Sequence, residues 1–189
     1  YPNYVQNLIL LDQGHLRIPR FPKEDFGPLG YLMPILSLLE KILGDKLANK
    51  MSTLFSSDGT SSEEKLQQRL NFFYEKFPVK KSAYITKAFQ EEVTYSPKGI
   101  RFMFGYYRLH LPKLLNHLIV PSLLLYASYK GFDEKRAKIT QKGVNKIMNP
   151  NVTLCKLDSH HYFHWDGDDC MKEINTYLYG ERMYDKKID

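Results

Sequence analysis

The segment from Leu118 to Leu178 constrains the fold more than any other part of the chain. Leu118-Ile119-Val120-Pro121-Ser122-Leu123-Leu124-Leu125-Tyr126 is a continuous apolar run of strand length. Alternating residues would mark a strand with one wet face, whereas an unbroken run marks one buried on both faces of a parallel sheet. Ala137, Thr140, Val144 and Ile147 then recur at roughly helical spacing among charged residues, which predicts an amphipathic helix. Asn149-Pro150-Asn151 ends it, and Val152 to Leu157 supplies a second strand. Asp158-Ser159-His160-His161-Tyr162-Phe163-His164-Trp165-Asp166 follows, and then a helix expected to carry Met171, Ile174 and Leu178 on one face. Strand, helix, strand and helix in that order predict an α/β fold. The histidine-dense segment falls just past a strand's carboxyl end, the edge where open α/β sheets form their sites.

Upstream, Asn7 to Leu11 reads as the first strand, followed by Asp12 and a Gln13-Gly14-His15 turn. Pro19, Pro22, Gly27, Pro28 and Gly30 mark an irregular connection. Leu32, Leu36, Leu39 and Leu43 form a helical stripe that stops at Gly44, with Pro34 near the helix start where a missing N–H is tolerated. Ser61-Ser62-Glu63-Glu64 is a capping box that opens a helix with Leu66, Leu70, Phe73 and Phe77 inward, ended by Pro78. Further helices are expected over Ser82 to Glu92 and just before Leu118. This helical stretch between two strands is far longer than an ordinary crossover.

At its two ends the chain resembles an α/β-hydrolase. That family carries an apolar strand introduced by Val-Pro, a helix, a short strand and a loop of the form Gly-x-x-His-x-x-His. Val120-Pro121-Ser122-Leu123-Leu124-Leu125 resembles the first element. Ser159-His160-His161-Tyr162-Phe163-His164 resembles the loop, with His161 at the catalytic-histidine position and His164 at the second histidine. Tyr1 to Asp12 is similar to the strand that follows the family's nucleophile helix. Tyr129-Lys130-Gly131-Phe132-Asp133 is similar to a stretch of the serine-hydrolase-like proteins within the family.

The resemblance implies the C-terminal portion of an α/β-hydrolase sheet with an inserted helical cap. Residues 1–16 would then be a core strand, 17–117 the cap, 118–180 the C-terminal hydrolase core and 181–189 a charged tail. It also implies a serine hydrolase cleaving an ester or thioester with a small apolar acyl group. The chain contains no Gly-x-Ser-x-Gly. The nucleophile is therefore expected outside this chain, on an N-terminal segment or a partner chain, and the first strand is expected to pair with a strand from elsewhere. His161 is the expected base. The family places its acid a few residues after the Leu123–Tyr126 strand, where Lys130 stands, so Asp133 is favoured and Asp12 is the other carboxylate at that edge. Asp133 reads equally well as the N-cap of the next helix. If neither carboxylate serves, the alternative is an inactive hydrolase-like protein that binds a ligand or partner.

Other functions find less support. His160, His161 and His164 with Asp166 or Asp168 offer metal-ligand types, but adjacent histidines in an extended loop point opposite ways and no zinc spacing is present, so no metal or cofactor is expected. Two cysteines, Cys155 and Cys170, make no disulfide framework, which favours a reducing, cytoplasmic setting. The net charge of +6 is spread, and Lys135, Arg136, Lys138, Lys142 and Lys146 fall mostly on the polar side of one helix. That is a solvated face rather than a nucleic-acid surface. No apolar run approaches the roughly 18 residues of a membrane span.

Overall fold

The computed structural model describes residues 4–16, 29–55, 63–90, 96–165 and 168–180, and divides the chain into two compact units. Residues 1–17 and 111–189 make a sheet unit, and Ile18–His110 makes a helical unit. In the sheet unit, β1 (Leu8–Leu11), β2 (Ser122–Ala127) and β3 (Val152–Leu157) form a parallel sheet in that order. Leu8 pairs with Ser122 and Leu11 with Leu125, while Ser122 pairs with Val152 and Ala127 with Leu157.

Every residue of β2 is buried, as its unbroken apolar run requires of a central parallel strand. Successive side chains leave a strand on opposite faces. Leu123, Leu125 and Ala127 therefore pack with Leu157, Phe163 and Cys170, while Leu124 packs with Leu115, Ile147 and Val152 on the other side. Leu115 belongs to the short helix α6 (Leu111–Leu115). Leu115, expected in the insertion, thus packs with the sheet.

Helix α7 (Glu134–Val144) joins β2 to β3, and α8 (Asp168–Tyr179) follows the histidine loop. Gly143 on α7 lies against the turn that leaves β1. A Cβ there would sit 2.5 Å from the His15 carbonyl oxygen, so only glycine allows this approach. On α8 the inward residues are Cys170, Ile174 and Tyr177, whereas Met171 and Leu178 face outward, a correction to the expected face.

The helical unit contains α1 (Leu29–Leu43), α2 (Asp45–Phe55), α3 (Glu63–Lys76), α4 (Ala83–Gln90) and α5 (Pro97–Arg108). The sequence reading missed α2, because Gly44 at φ 50° ends α1 without ending helical structure for more than one residue. Met33, Ala48, Met51, Ile100 and Phe104 form the core among α1, α2 and α5. Leu66, Leu70 and Phe73 are buried on α3 as expected, and the Phe73 ring meets Phe77 and Phe89 at 5.2 Å each. Ser61 of the expected capping box lies outside the described residues.

Helix α1 is turned away from its predicted stripe. Leu32, Leu39 and Leu43 are exposed, and the buried residues are Met33, Ser37 and Glu40. Its orientation follows Glu40, whose carboxylate accepts from Arg108 Nη1 at 2.7 Å and from Arg101 Nε at 3.2 Å. These two guanidinium groups, Arg108 first, hold Glu40 below the usual carboxylate range. Among the described residues, no helix is long and apolar enough to cross a membrane.

Candidate functional site

The three strands end together, and the residues just past their carboxyl ends converge on Asp12. Asp12 immediately follows β1, and its amide continues the ladder by donating to the Leu125 carbonyl at 2.7 Å. The residue then adopts φ 50°, which swings the buried carboxylate across the end of β2. Asp12 Oδ1 accepts from the Ala127 amide at 3.0 Å. Asp12 Oδ2 accepts from the Tyr129 hydroxyl and lies 2.7 Å from His161 Nδ1. One carboxylate thus ties the first strand to the loops after the second and third.

His161 comes from the loop after β3, with the Tyr162 ring edge-on at 5.1 Å. Its side chain keeps 24% of its surface exposed, against 3% for Asp12. A carboxylate at Nδ1 accepts a hydrogen bond from an N–H there, which leaves the lone pair on Nε2. The pair therefore has the composition and geometry of an oriented general base.

Tyr129 reaches Asp12 from a left-handed backbone at φ 56°. Burial first, and the Asp12 charge second, push its phenol far above the ordinary tyrosine value, so it acts as a hydrogen-bond donor. The Arg136 guanidinium lies over its ring, 5.3 Å from the centroid.

His15, on the turn after Asp12, is also buried, with its ring 6.3 Å from that of Tyr126. Desolvation lowers its pKa against the pull of Asp12, and the nearby His161 lowers it further. His164 is exposed by area, yet loss of solvation within the loop lowers its pKa, and His161 adds to this. His160 is buried, and its Nδ1 accepts from the Tyr162 amide at 3.2 Å, with the Phe132 ring edge-on at 5.5 Å. That places His160 in the framework of the turn.

Of the residues singled out from the sequence, the structure brings His161 and Asp12 together. Asp133, favoured there as the acid, is not the carboxylate that meets His161. It caps α7, accepting from the Arg136 amide at 2.8 Å, because its extended backbone (φ −149°) aims the side chain at the first helical turn. Lys130 is exposed. Asp166 lies outside the described residues, and Asp168 begins α8. Among the described residues, no three His, Cys, Asp or Glu side chains are grouped to hold a metal ion.

Sequence reasoning gave Tyr129 and His15 no role at the site. Tyr129 opens the Tyr-Lys-Gly-Phe-Asp stretch, and His15 follows Asp12 by three residues, so both stood in segments already marked.

Fold and site define a mixed α/β chain with a three-stranded parallel sheet and, at its carboxyl edge, a buried aspartate paired with a partly exposed histidine. No family model, curated protein or solved structure matches the chain.

Proposed function

We propose that Asp12 and His161 are the acid and base of a serine hydrolase that cleaves an ester or thioester, with its nucleophile outside this chain. The observation that carries the reading is the 2.7 Å contact between His161 Nδ1 and Asp12 Oδ2, made by a buried carboxylate at the sheet's carboxyl edge. In this mechanism Asp12 holds the Nδ1–H tautomer of His161. Nε2 takes the proton from the attacking hydroxyl as the new carbon–oxygen bond forms. The imidazolium returns that proton to the leaving alcohol or thiol as its bond to the acyl carbon breaks, and water releases the acyl group by the same exchange. Asp12 stays a carboxylate throughout and steadies the imidazolium. Asp133 has no part in the reaction.

A second reading rests on the Tyr129 contact. Because the Tyr129 hydroxyl shares Oδ2 with His161, Asp12 would make the same three contacts if it only tied the strand ends together in an inactive ligand-binding protein. The test is covalent labelling of the complete protein with a fluorophosphonate, beside turnover of short-chain acyl esters. The triad reading expects labelling that His161→Ala removes by several orders of magnitude. Asp12→Asn should lower turnover by about 10⁴-fold, the cost of the wrong imidazole tautomer. His164→Ala and Asp133→Asn should cost little. A well-folded complete protein that is not labelled and turns over no ester would establish the binding reading instead.

A further inference from the structure

Asp12 Oδ2 serves two donors at once. The Tyr129 hydroxyl and His161 Nδ1 both bond it, while Oδ1 accepts from the Ala127 amide. Tyr129 is held to this task from several sides. Its ring is buried in the cluster of Leu123, Leu125, Ala127 and Phe163. Its amide donates to the Ser159 carbonyl at 3.1 Å, and its carbonyl accepts from the Phe132 and Asp133 amides at 3.0 and 2.9 Å. The Arg136 guanidinium over the ring, itself 3.7 Å from Asp133 Oδ2, makes the phenol a better donor. A phenylalanine would fill the same place in the core, and a glycine would take the left-handed backbone without strain. What tyrosine adds at this position is one neutral O–H aimed at the carboxylate.

That donor bears on His161 through Asp12. A buried carboxylate paired with an imidazole favours the imidazolium. The imidazolium carries protons on both nitrogens and has no lone pair with which to act as a base. Two donors on one oxygen divide its charge, so the Tyr129 bond weakens the pull of Oδ2 on the Nδ1 proton. It does so without adding a charge of its own, because burial and the Asp12 charge keep the phenol protonated. Other titratable groups around the ring are His15, on the turn after β1, and His164, His160 and Tyr162 in its own loop. Arg136 stands behind Tyr129 as the cation supplied by α7.

We infer that Tyr129 is a positioning residue that acts through Asp12: its hydroxyl takes a share of Oδ2, so that His161 rests as the neutral Nδ1–H ring with Nε2 open. The consequence for turnover rests on the acid–base reading of the pair, whereas the effect on the ring does not.

The experiment is proton NMR of the His161 ring in the complete protein, beside its melting temperature and the pH profile of ester turnover. His161→Gln assigns the ring signals. Tyr129→Phe removes the shared donor and should move the Nδ1 proton downfield, as its bond to Oδ2 tightens. It should also move the acidic limb of kcat/KM to higher pH by roughly half a unit to one unit. Fluorotyrosine at position 129 keeps the ring in place and is a stronger donor, so it should move both in the opposite direction. A residue that merely packs would lower the melting temperature of the phenylalanine variant and move neither.

An Nδ1 proton that stays in place in folded Tyr129→Phe would overturn the inference. So would shifts of the same sign in both variants, since loosened packing would explain them. Should the phenylalanine variant fail to fold, an upfield shift with fluorotyrosine would uphold the inference and an unmoved proton would overturn it. Opposed shifts in a protein that neither takes the fluorophosphonate label nor cleaves esters would uphold the hold of Tyr129 on Asp12 and overturn the catalytic reading alone.

Discussion

Asp12 and Tyr129 are the two non-glycine residues with left-handed backbone among the described residues, and their side chains bond each other. An aspartate tolerates that conformation, but a tyrosine there is a genuine outlier, and such strain costs about 1–3 kcal/mol per residue. The cost is offset by what the conformations achieve: three donors reach one buried carboxylate from the ends of β2 and β3. His15 and His164 add a pH dependence to this arrangement. Loss of solvation lowers both pKa values. The unfolded chain binds protons on these rings near the ordinary imidazole value of about 6.5, and the folded chain only at lower pH. In that window the unfolded state carries more protons, so stability rises with pH. Stability should be complete above about pH 6.5, decline as the pH falls below it, and level off beneath the folded values. Melting temperatures measured between pH 8 and pH 5 should show this decline, and His15→Gln/His164→Gln should flatten it whatever the variant's absolute stability. A slope unchanged in the variant would assign the dependence to other groups.

At the scale of the element, α7 gives the plainest link from sequence to stability. Asp133 at its N-cap bonds the Arg136 amide, and Glu134 adds a favourable charge to the first turn. Asp133→Ala should cost about 1 kcal/mol, a fall of roughly 2–4 °C in melting temperature for a chain of this size. Asp133→Asn should cost much less, because asparagine caps nearly as well. Neither should change labelling or turnover in the complete protein, and an activity loss comparable to that of Asp12→Asn would return Asp133 to the acid's role. Strands β2 and β3 and helix α7 were legible in the sequence because their signals are local: an apolar run, a period and a capping residue. The face of α1 was not, because its apolar residues extend well beyond the arc that a core can take. What turned the helix is Glu40 with arginines 61 and 68 positions away. The Asp12–His161 pair was obscured in the same way. A separation of 149 residues has no period, and spacing after β2 favoured the nearer carboxylate.

For the whole molecule, the two edges of the sheet differ in a way that bears on assembly. Strand β3 exposes Thr153, Leu154 and Lys156 along its length, and a charged side chain is a usual guard against further pairing. Strand β1 reads Leu8-Ile9-Leu10-Leu11, with no charge, and all four residues are only half-buried. An all-apolar parallel strand normally has neighbours on both sides. The Leu8 and Asp12 amides donate to Pro121 and Leu125 of the β2 side. By alternation along the strand, the Ile9 and Leu11 amides point to the other edge. We expect that edge to take a further strand, from a segment outside this chain or from a partner, and this is also where the proposed nucleophile would have to enter. The measurement is hydrogen exchange resolved at Ile9, Leu10 and Leu11. In the complete protein all three amides should exchange slowly. In the 189-residue chain alone Leu10 should stay the slowest, while Ile9 and Leu11 exchange fast and the chain self-associates through the open edge. Fast exchange at Ile9 and Leu11 in both, with a monomeric chain that melts cooperatively, would mean that β1 is the true edge of the sheet. The catalytic reading of Asp12 and His161 would then have to find its nucleophile by another route.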